Sequence, residues 1–340
     1  MTSRRLRLTR GQVLAFRRRT GGLDERLPWG RGSLRRAAWA GLQDSMPRAA
    51  LLSIHARVER ARPNALDDPS LVQLWGPRYQ LMVVAERDLG VFSLGTLPDD
   101  ARGRRRAEET AARLRAHLGG RRMTYAEAGR ALGVNPNSLR YAAPTGTVVL
   151  RWDGARLSTI WTVPPPKMDP SDARLELGRR YLHVYGPTTP RAFAKWAGVS
   201  PRGADEAFAT LEAELTAVAT PIGDAWILTG DEPAIREPAK PAAPARLLPS
   251  GDPFFLLHGA DRELLVPDAR RRGRLWTSRV WPGCLLVDGE IAGTWRRAHA
   301  NVTIDPWRRL SRAARDAVEA EAAALPLPGL AAPIVVHWES

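Results

Sequence analysis

Three times along this chain a capping side chain stands directly before a proline at the head of an apolar-periodic run: Asn135-Pro136, Thr189-Pro190 and Ser200-Pro201. Proline holds the residue before it in an extended conformation and itself fits the first helical turn, so each pair marks a helix start. Gly133 and Gly198 stop the helices that precede two of these starts. Helix, glycine-containing turn, short helix is the grammar of a helix-turn-helix.

That grammar reads three times. In the first unit Thr9 caps a helix carrying Val13, Leu14 and Phe16, and Ser33 caps a second over 34–40 that ends at Gly41. A third helix begins near Ser45–Pro47 and runs to about Arg60, with Leu51, Leu52, Ile54 and Val58 recurring at helical spacing. Tyr79–Ala85 and Leu89–Leu94 are β-rich runs around Glu86-Arg87-Asp88 and read as a hairpin. In the second unit residues 107–118 form a helix, Thr124 caps Tyr125–Leu132, and Asn135-Pro136 opens the next. Its hairpin is Thr147–Trp152 and Ala155–Val163 around Asp153-Gly154, a strong hairpin signal. In the third, Ser171 opens a helix to about Tyr185, the two capped prolines open two more, and strands 216–220 and 225–228 flank a turn at Pro221–Asp224. Three helices and a hairpin is winged-helix order.

The expected fold is α+β: three tandem winged-helix units at 1–100, 101–168 and 169–230. A Pro/Ala-rich linker follows at 231–247, its richest part being 233–246. Residues 248–340 are expected to be β-rich and barrel-like, with strands at Phe254–Leu257, Arg274–Val280, Cys284–Val287, Glu290–Trp295 and Asn301–Ile304. A terminal helix lies within Pro306–Leu325, and Ile334–Trp338 adds an edge strand.

Charge narrows the function. The 340 residues carry a net charge of +15, and 48 of the 51 basic residues are arginine. A high-GC genome explains arginine over lysine but not an excess of bases over acids. That excess points to a polyanion, most simply duplex DNA. One cysteine, Cys284, excludes an internal disulfide, and six scattered histidines give no metal-ligand spacing. No run is long and apolar enough for a membrane span, and the N-terminus has no secretory pattern. A cytoplasmic, nucleoid-associated monomer without metal or cofactor is expected.

Candidate DNA contacts are Arg48, Asn137, Arg140, Lys195 and Arg202, with Arg151 and Arg156 on the second hairpin. A two-residue turn at Asp153-Gly154 sets Leu150 opposite Leu157 and Arg151 opposite Arg156. Like charges there repel unless a phosphate offsets them. Trp75, Trp152, Trp161, Trp226, Trp276 and Trp295 are read as core, His55 as a satisfied structural histidine, and Asp231-Glu232 as a solvated pair. Gln43 and Asp44 suit glycosidic-bond chemistry, in which an amide or carboxylate orients water and stabilises charge on the sugar. The alternative is a helix cap, with Asp44 complementing the dipole of the next helix.

From about Leu8 to Leu325 the chain resembles the winged-helix DNA-binding superfamily that includes the AlkZ/YcaQ-like DNA glycosylases. Gly41-Leu42-Gln43-Asp44-Ser45, Leu94-Gly95-Thr96-Leu97-Pro98, Arg180–Pro190 with Phe193-Ala194-Lys195-Trp196, and Leu286-Val287-Asp288-Gly289 with Gly293-Thr294-Trp295-Arg296 carry it. The resemblance implies tandem winged helices forming a basic concave surface for duplex DNA, and enzymes that unhook crosslinks or excise alkylated purines. Their motif is Gln, an apolar residue, then Gln or Asp. Gln43 matches its first position, while Asp44 and Ser45 depart from the other two. Two readings stay open: a DNA repair glycosylase with Gln43 and Asp44 at its site, or a non-catalytic, transcription-associated DNA-binding protein.

Overall fold

The computed structural model describes residues 6–154, 158–330 and 332–339. Its fold is mixed α and β. Among the described residues the strands fall into three sheets.

Thr9 accepts the N–H of Gln12 and the Gln12 side chain returns to the Thr9 N–H, closing a capping box on the helix Arg10–Thr20. This helix packs against Pro170–Tyr185 and Glu232–Arg236. The reason is the strand before it: Leu6–Arg7 runs parallel to Leu215–Thr220, which is hairpin-paired with Gly223–Leu228. The start of the chain is therefore built onto its middle.

The helix Ala49–Arg57 is buried along its whole length. Leu51, Ile54 and Val58 pack with Leu34, Leu42, Leu71 and Val83 in one apolar cluster. Beside it lies a six-stranded sheet in the order Leu42–Gln43, Leu81–Ala85, Leu71–Trp75, Val148–Arg151, Thr159–Thr162, Met123–Thr124. The join between the two hairpins of this sheet is Gln73 opposite Leu150.

The capped prolines behave as expected. Asn135, Thr189 and Ser200 are the N-caps of Pro136–Thr145, Pro190–Ala197 and Pro201–Thr210. Thr124 forms a capping box with Glu127, and Gly133 and Gly198 have φ +65° and +74°.

Several expectations are corrected. The first hairpin pairs Leu71–Trp75 with Leu81–Ala85, and Leu89–Leu94 is a helix. Asp88, just before that helix, is buried against Arg180 at 2.9 Å, so the Glu86-Arg87-Asp88 turn leads into packing rather than to a solvent-exposed tip. The helix over 34–40 is Arg31–Ala37, with Gly30 rather than Ser33 at its cap. The helix expected from 107 begins at Ala101, where the Asp100 carboxylate accepts the Gly103 N–H, and the helix expected at Ser171 begins at Pro170, capped by Asp169.

The second hairpin has a different register: Leu150 faces Ile160 and Arg151 faces Thr159. Leu150 and Arg151 thus take Ile160 and Thr159 as partners in place of the expected Leu157 and Arg156, which both lie outside the described residues.

In the C-terminal region, neither Phe254–Leu257 nor Arg274–Val280 is a strand; the helix Ala269–Leu275 occupies the start of the latter. The sheet is open and five-stranded, in the order Ala245–Leu248, Gly283–Val287, Glu290–Ala298, Asn301–Pro306, Val335–Trp338, with the last pair parallel. The expected linker contains the helix Glu232–Arg236, and its end is the first strand of this sheet. The Asp231 carboxylate is buried and bonds His183 Nδ1 at 2.8 Å, so it is no solvated pair with Glu232. Of the six strand-associated tryptophans only Trp276 and Trp295 are fully in the core; Trp75, Trp152, Trp161 and Trp226 are partly exposed.

Candidate active site

The strand Leu42–Gln43 is antiparallel to Leu81–Ala85, with Gln43 opposite Met82. Asp44 continues the pairing by donating its N–H to the Leu81 carbonyl at 2.7 Å. Side chains alternate along a strand, so Gln43 and Ser45 share one face and Asp44 takes the other. The two residues expected to act together are thereby separated.

On the first face, Gln43 lies against Gly251. A Cβ on that glycine would stand 3.0 Å from Gln43 Cδ, a tight contact, and its φ of +78° favours glycine there. Gln43 Oε1 is buried and accepts no hydrogen bond. A buried acceptor without a donor costs about 1–3 kcal/mol, and a bound donor would remove that cost. Next along the same face, the Ser45 hydroxyl donates to Gln80 Oε1 at 3.0 Å. Ser45 thus holds the Gln80 amide from its own side of the strand pair.

On the second face, Asp44 is buried. Its Oδ1 accepts the Ala50 N–H at 2.9 Å, at the head of Ala49–Arg57. Its Oδ2 accepts from Gln73 Nε2 at 2.7 Å. Gln73 also receives the Trp152 N–H at 2.6 Å and donates to the Trp152 carbonyl at 3.1 Å. Asp44 is the helix cap in effect, acting from outside the helix because Arg48, at the cap position, has φ +65° and no capping side chain. Burial pushes the Asp44 pKa up to about 7, against the lowering pull of the Ala50 N–H, Arg151 and Gln73. The folded value exceeds the unfolded one, so stability from this group is present at low pH and is lost as pH rises from about 4 to about 7. Asp44→Asn removes the titration. We therefore expect wild-type stability to fall relative to Asp44→Asn between pH 4.5 and 7.5 in urea titrations; parallel curves across that range would contradict this.

Asp44 lines a cleft of about 510 Å³ with Arg48, Asp67, Arg151, Trp152 and Asp153. Arg151 is folded back there, donating to the Leu66 carbonyl and to Asp67. Arg202 is exposed and pairs with Glu206 at 2.8 Å. Lys195 and Asn137 are exposed, and Asn137 accepts from Tyr125 Oη. Arg140 lies 5.8 Å from the ring centroids of both Tyr79 and Tyr141, and Arg106 stacks on Tyr141 at 3.7 Å. These aromatic rings interleaved with guanidinium groups begin at Tyr79, one residue before Gln80. His55 is buried, and burial lowers its pKa to about 4. Cys284 is buried, which raises its thiol pKa.

Sequence reasoning missed Gln73, Gln80, Gly251 and Asp252. Gln73 had a signal, a lone amide inside the apolar strand Leu71–Trp75. The others had none, because each meets its partner through pairing or packing distant in sequence. Asp252 is completely buried in a two-point ion pair with Arg57 at 2.7 and 2.8 Å, and also accepts from the Ser53 hydroxyl at 2.7 Å. This carboxylate anchors the turn carrying Gly251 on the helix Ala49–Arg57, and so holds Gly251 against Gln43.

Among the described residues no helix is long and apolar enough to cross a membrane, and no cluster of three or more His, Cys, Asp or Glu could hold a metal ion. Residues 36–326 match the family described as DNA glycosylase AlkZ-like. An interstrand DNA cross-link repair glycosylase of Streptomyces sahachiroi is 28% identical over 162 residues, 46% of this chain and 42% of that relative's length. The structure of Streptomyces sahachiroi DNA glycosylase AlkZ has the same fold, with a TM-score of 0.79, 20% identity, and coverage of 98% of this chain and 100% of that one.

Proposed function

Because this chain belongs to the AlkZ-like family of DNA glycosylases, we propose that it binds duplex DNA and hydrolyses the N-glycosidic bond of an alkylated or crosslinked nucleotide. Three tandem winged-helix units and the C-terminal sheet form the body, and the face bearing Gln43, Ser45 and Gln80 meets the nucleotide. The observation that carries this is the Gln43 carbonyl, buried without a donor on the face that Ser45 and Gln80 share.

The chemistry follows from the side chains. As the glycosidic bond breaks, positive charge builds on the sugar and a water must approach it. Neutral amide carbonyls can accept that water's hydrogens and stabilise the charge without forming an ion pair with the substrate. Gln43 supplies one such carbonyl. Gln80, polarised by the Ser45 hydroxyl, supplies the second from the hairpin loop that precedes the neighbouring strand. Asp44 holds the strand-to-helix turn rather than the substrate, because both of its oxygens are engaged and its side chain faces away from Gln43. The name of the Streptomyces sahachiroi relative makes a crosslinked duplex the first substrate to try. Release of free base from alkylated and crosslinked duplexes, compared between wild type and Gln43→Ala, tests the reading.

A specific observation favours a second reading. Ser45 stands where the resembled enzymes have Gln or Asp, and a hydroxyl is a weak substitute for activating water. In that case the protein binds DNA without excising anything. Steep loss of DNA affinity with rising salt is common to both readings; base release separates them.

A further inference from the structure

The turn that carries Gln80 has an unusual backbone. Trp75 pairs with Leu81, so Gly76–Gln80 is the hairpin loop. The Gln80 N–H donates to the Pro77 carbonyl at 3.1 Å, and the two residues between, Arg78 and Tyr79, have φ +56° and +55°. A tight hairpin turn with both central residues in the left-handed region is ordinarily given to Asn-Gly. Large side chains held there mark a place where the side chains themselves are required.

Arg78 has an equally unusual setting. Its Nη1 lies 2.8 Å from His258 Nε2, so the imidazole accepts and the guanidinium donates. His258 is held neutral: burial, then Arg78, Arg262 and Lys195, push its pKa down to about 4. Arg78 Nε is buried and has no hydrogen-bond partner. Arg262 lies 4.9 and 5.3 Å from the ring centroids of Trp276 and Trp281, and its Nε donates to the Leu257 carbonyl at 2.8 Å. Lys195 and His258 also line a cleft of about 330 Å³ together with Thr189, Arg191 and Asp224. Its other carboxylate, Asp261, is taken by Arg17 at 3.1 Å.

Several buried arginines have carboxylate partners, Arg57 with Asp252, Arg174 with Asp99 and Arg180 with Asp88, whereas Arg246 is satisfied by the Ala56 and Ala245 carbonyls. Among the described residues Arg78 and Arg262 have no carboxylate ion-pair partner, and the two guanidinium groups lie close enough for Arg78 to lower the pKa of Arg262. A guanidinium with an orphaned buried donor and no carboxylate, close to a second arginine without one, suits an anion with several acceptor oxygens.

We propose that Arg78, Lys195 and Arg262, with His258 as the acceptor that orients Arg78, form a binding site for one phosphodiester of the DNA backbone. The proposal rests on the DNA-binding part of the function proposed above. The site sets the register of the duplex, since Arg78 and Gln80 share one rigid turn: fixing that phosphate fixes the nucleotide presented to Gln43 and Gln80.

The test uses binding, not excision, to an undamaged duplex. Lys195→Ala alters an exposed side chain and leaves the apolar core untouched. Arg78→Asn keeps a residue that tolerates positive φ. Each should lower affinity about tenfold and reduce the slope of log affinity against log salt by about one. A single uncharged methylphosphonate, scanned along the duplex, should weaken wild type at one position and leave Arg78→Asn unaffected there. Wild-type affinity and slope in both variants would overturn the proposal. So would a rise in wild-type thermal midpoint with inorganic phosphate at matched ionic strength, absent in Arg78→Asn, if the two proteins bind DNA equally: the site would then serve free phosphate. If wild type itself binds no DNA, it is the proposed function that fails.

Discussion

Asp252→Ala should cost about 3–5 kcal/mol of folding stability, the usual result of removing one partner from a buried ion pair. Arg57 would be left charged, buried and without its carboxylate, and the Ser53 hydroxyl and Phe254 N–H would lose their acceptor as well. The urea midpoint reads this directly. The site should suffer too. With the turn released from Ala49–Arg57, Gly251 no longer presses on Gln43, so any surviving folded protein should bind DNA while excising base poorly. A midpoint within 1 kcal/mol of wild type would show that the ion pair does not anchor this turn.

Gln43→Ala is the second large effect, and it falls on rate rather than stability. Deleting one preorganised group that stabilises transition-state charge typically lowers the rate by about 10²–10³. The side chain removed is half-buried and makes no hydrogen bond through its carbonyl, so the fold should tolerate its loss, and DNA affinity should stay within a factor of a few. Single-turnover base release with enzyme in excess isolates the chemical step. Gln80→Ala should show a smaller loss in the same assay, because Ser45 keeps a hydroxyl on that face. Asp44→Asn should change the rate only as far as it disturbs the turn. A catalytic carboxylate at Asp44 would instead make that variant the slowest of the three.

Local chemistry was legible in the sequence wherever a structural device is local. The Thr9, Thr124, Asn135, Thr189 and Ser200 caps and the glycine stops at 133 and 198 are decided by a few neighbouring residues, and they stand where the residues put them. The hairpin at 71–85 was not legible. Its turn is made by Arg78 and Tyr79 in a conformation that their own preferences oppose, so no local signal announces it. Leu89–Leu94 is apolar enough for a strand, but the pairing of Asp88 with Arg180 and the burial of Val91 to Leu94 make it a helix.

The candidate site was half legible. Gln43 and Asp44 stand out as polar residues beside a helix start, yet only strand pairing with Leu81 and Met82 reveals that they face opposite ways. Gln80 and Gly251 reach Gln43's face from 35 or more residues away, where spacing in the sequence carries no information.

The central claim is that Gln43 serves a glycosylase. The most direct measurement is single-turnover release of free base from alkylated and crosslinked duplex DNA, run side by side for wild type and Gln43→Ala at equal DNA occupancy. The account predicts release by wild type and a rate about 10²–10³ lower for the variant. No release by wild type across those substrates, or equal release by the two proteins, would contradict it.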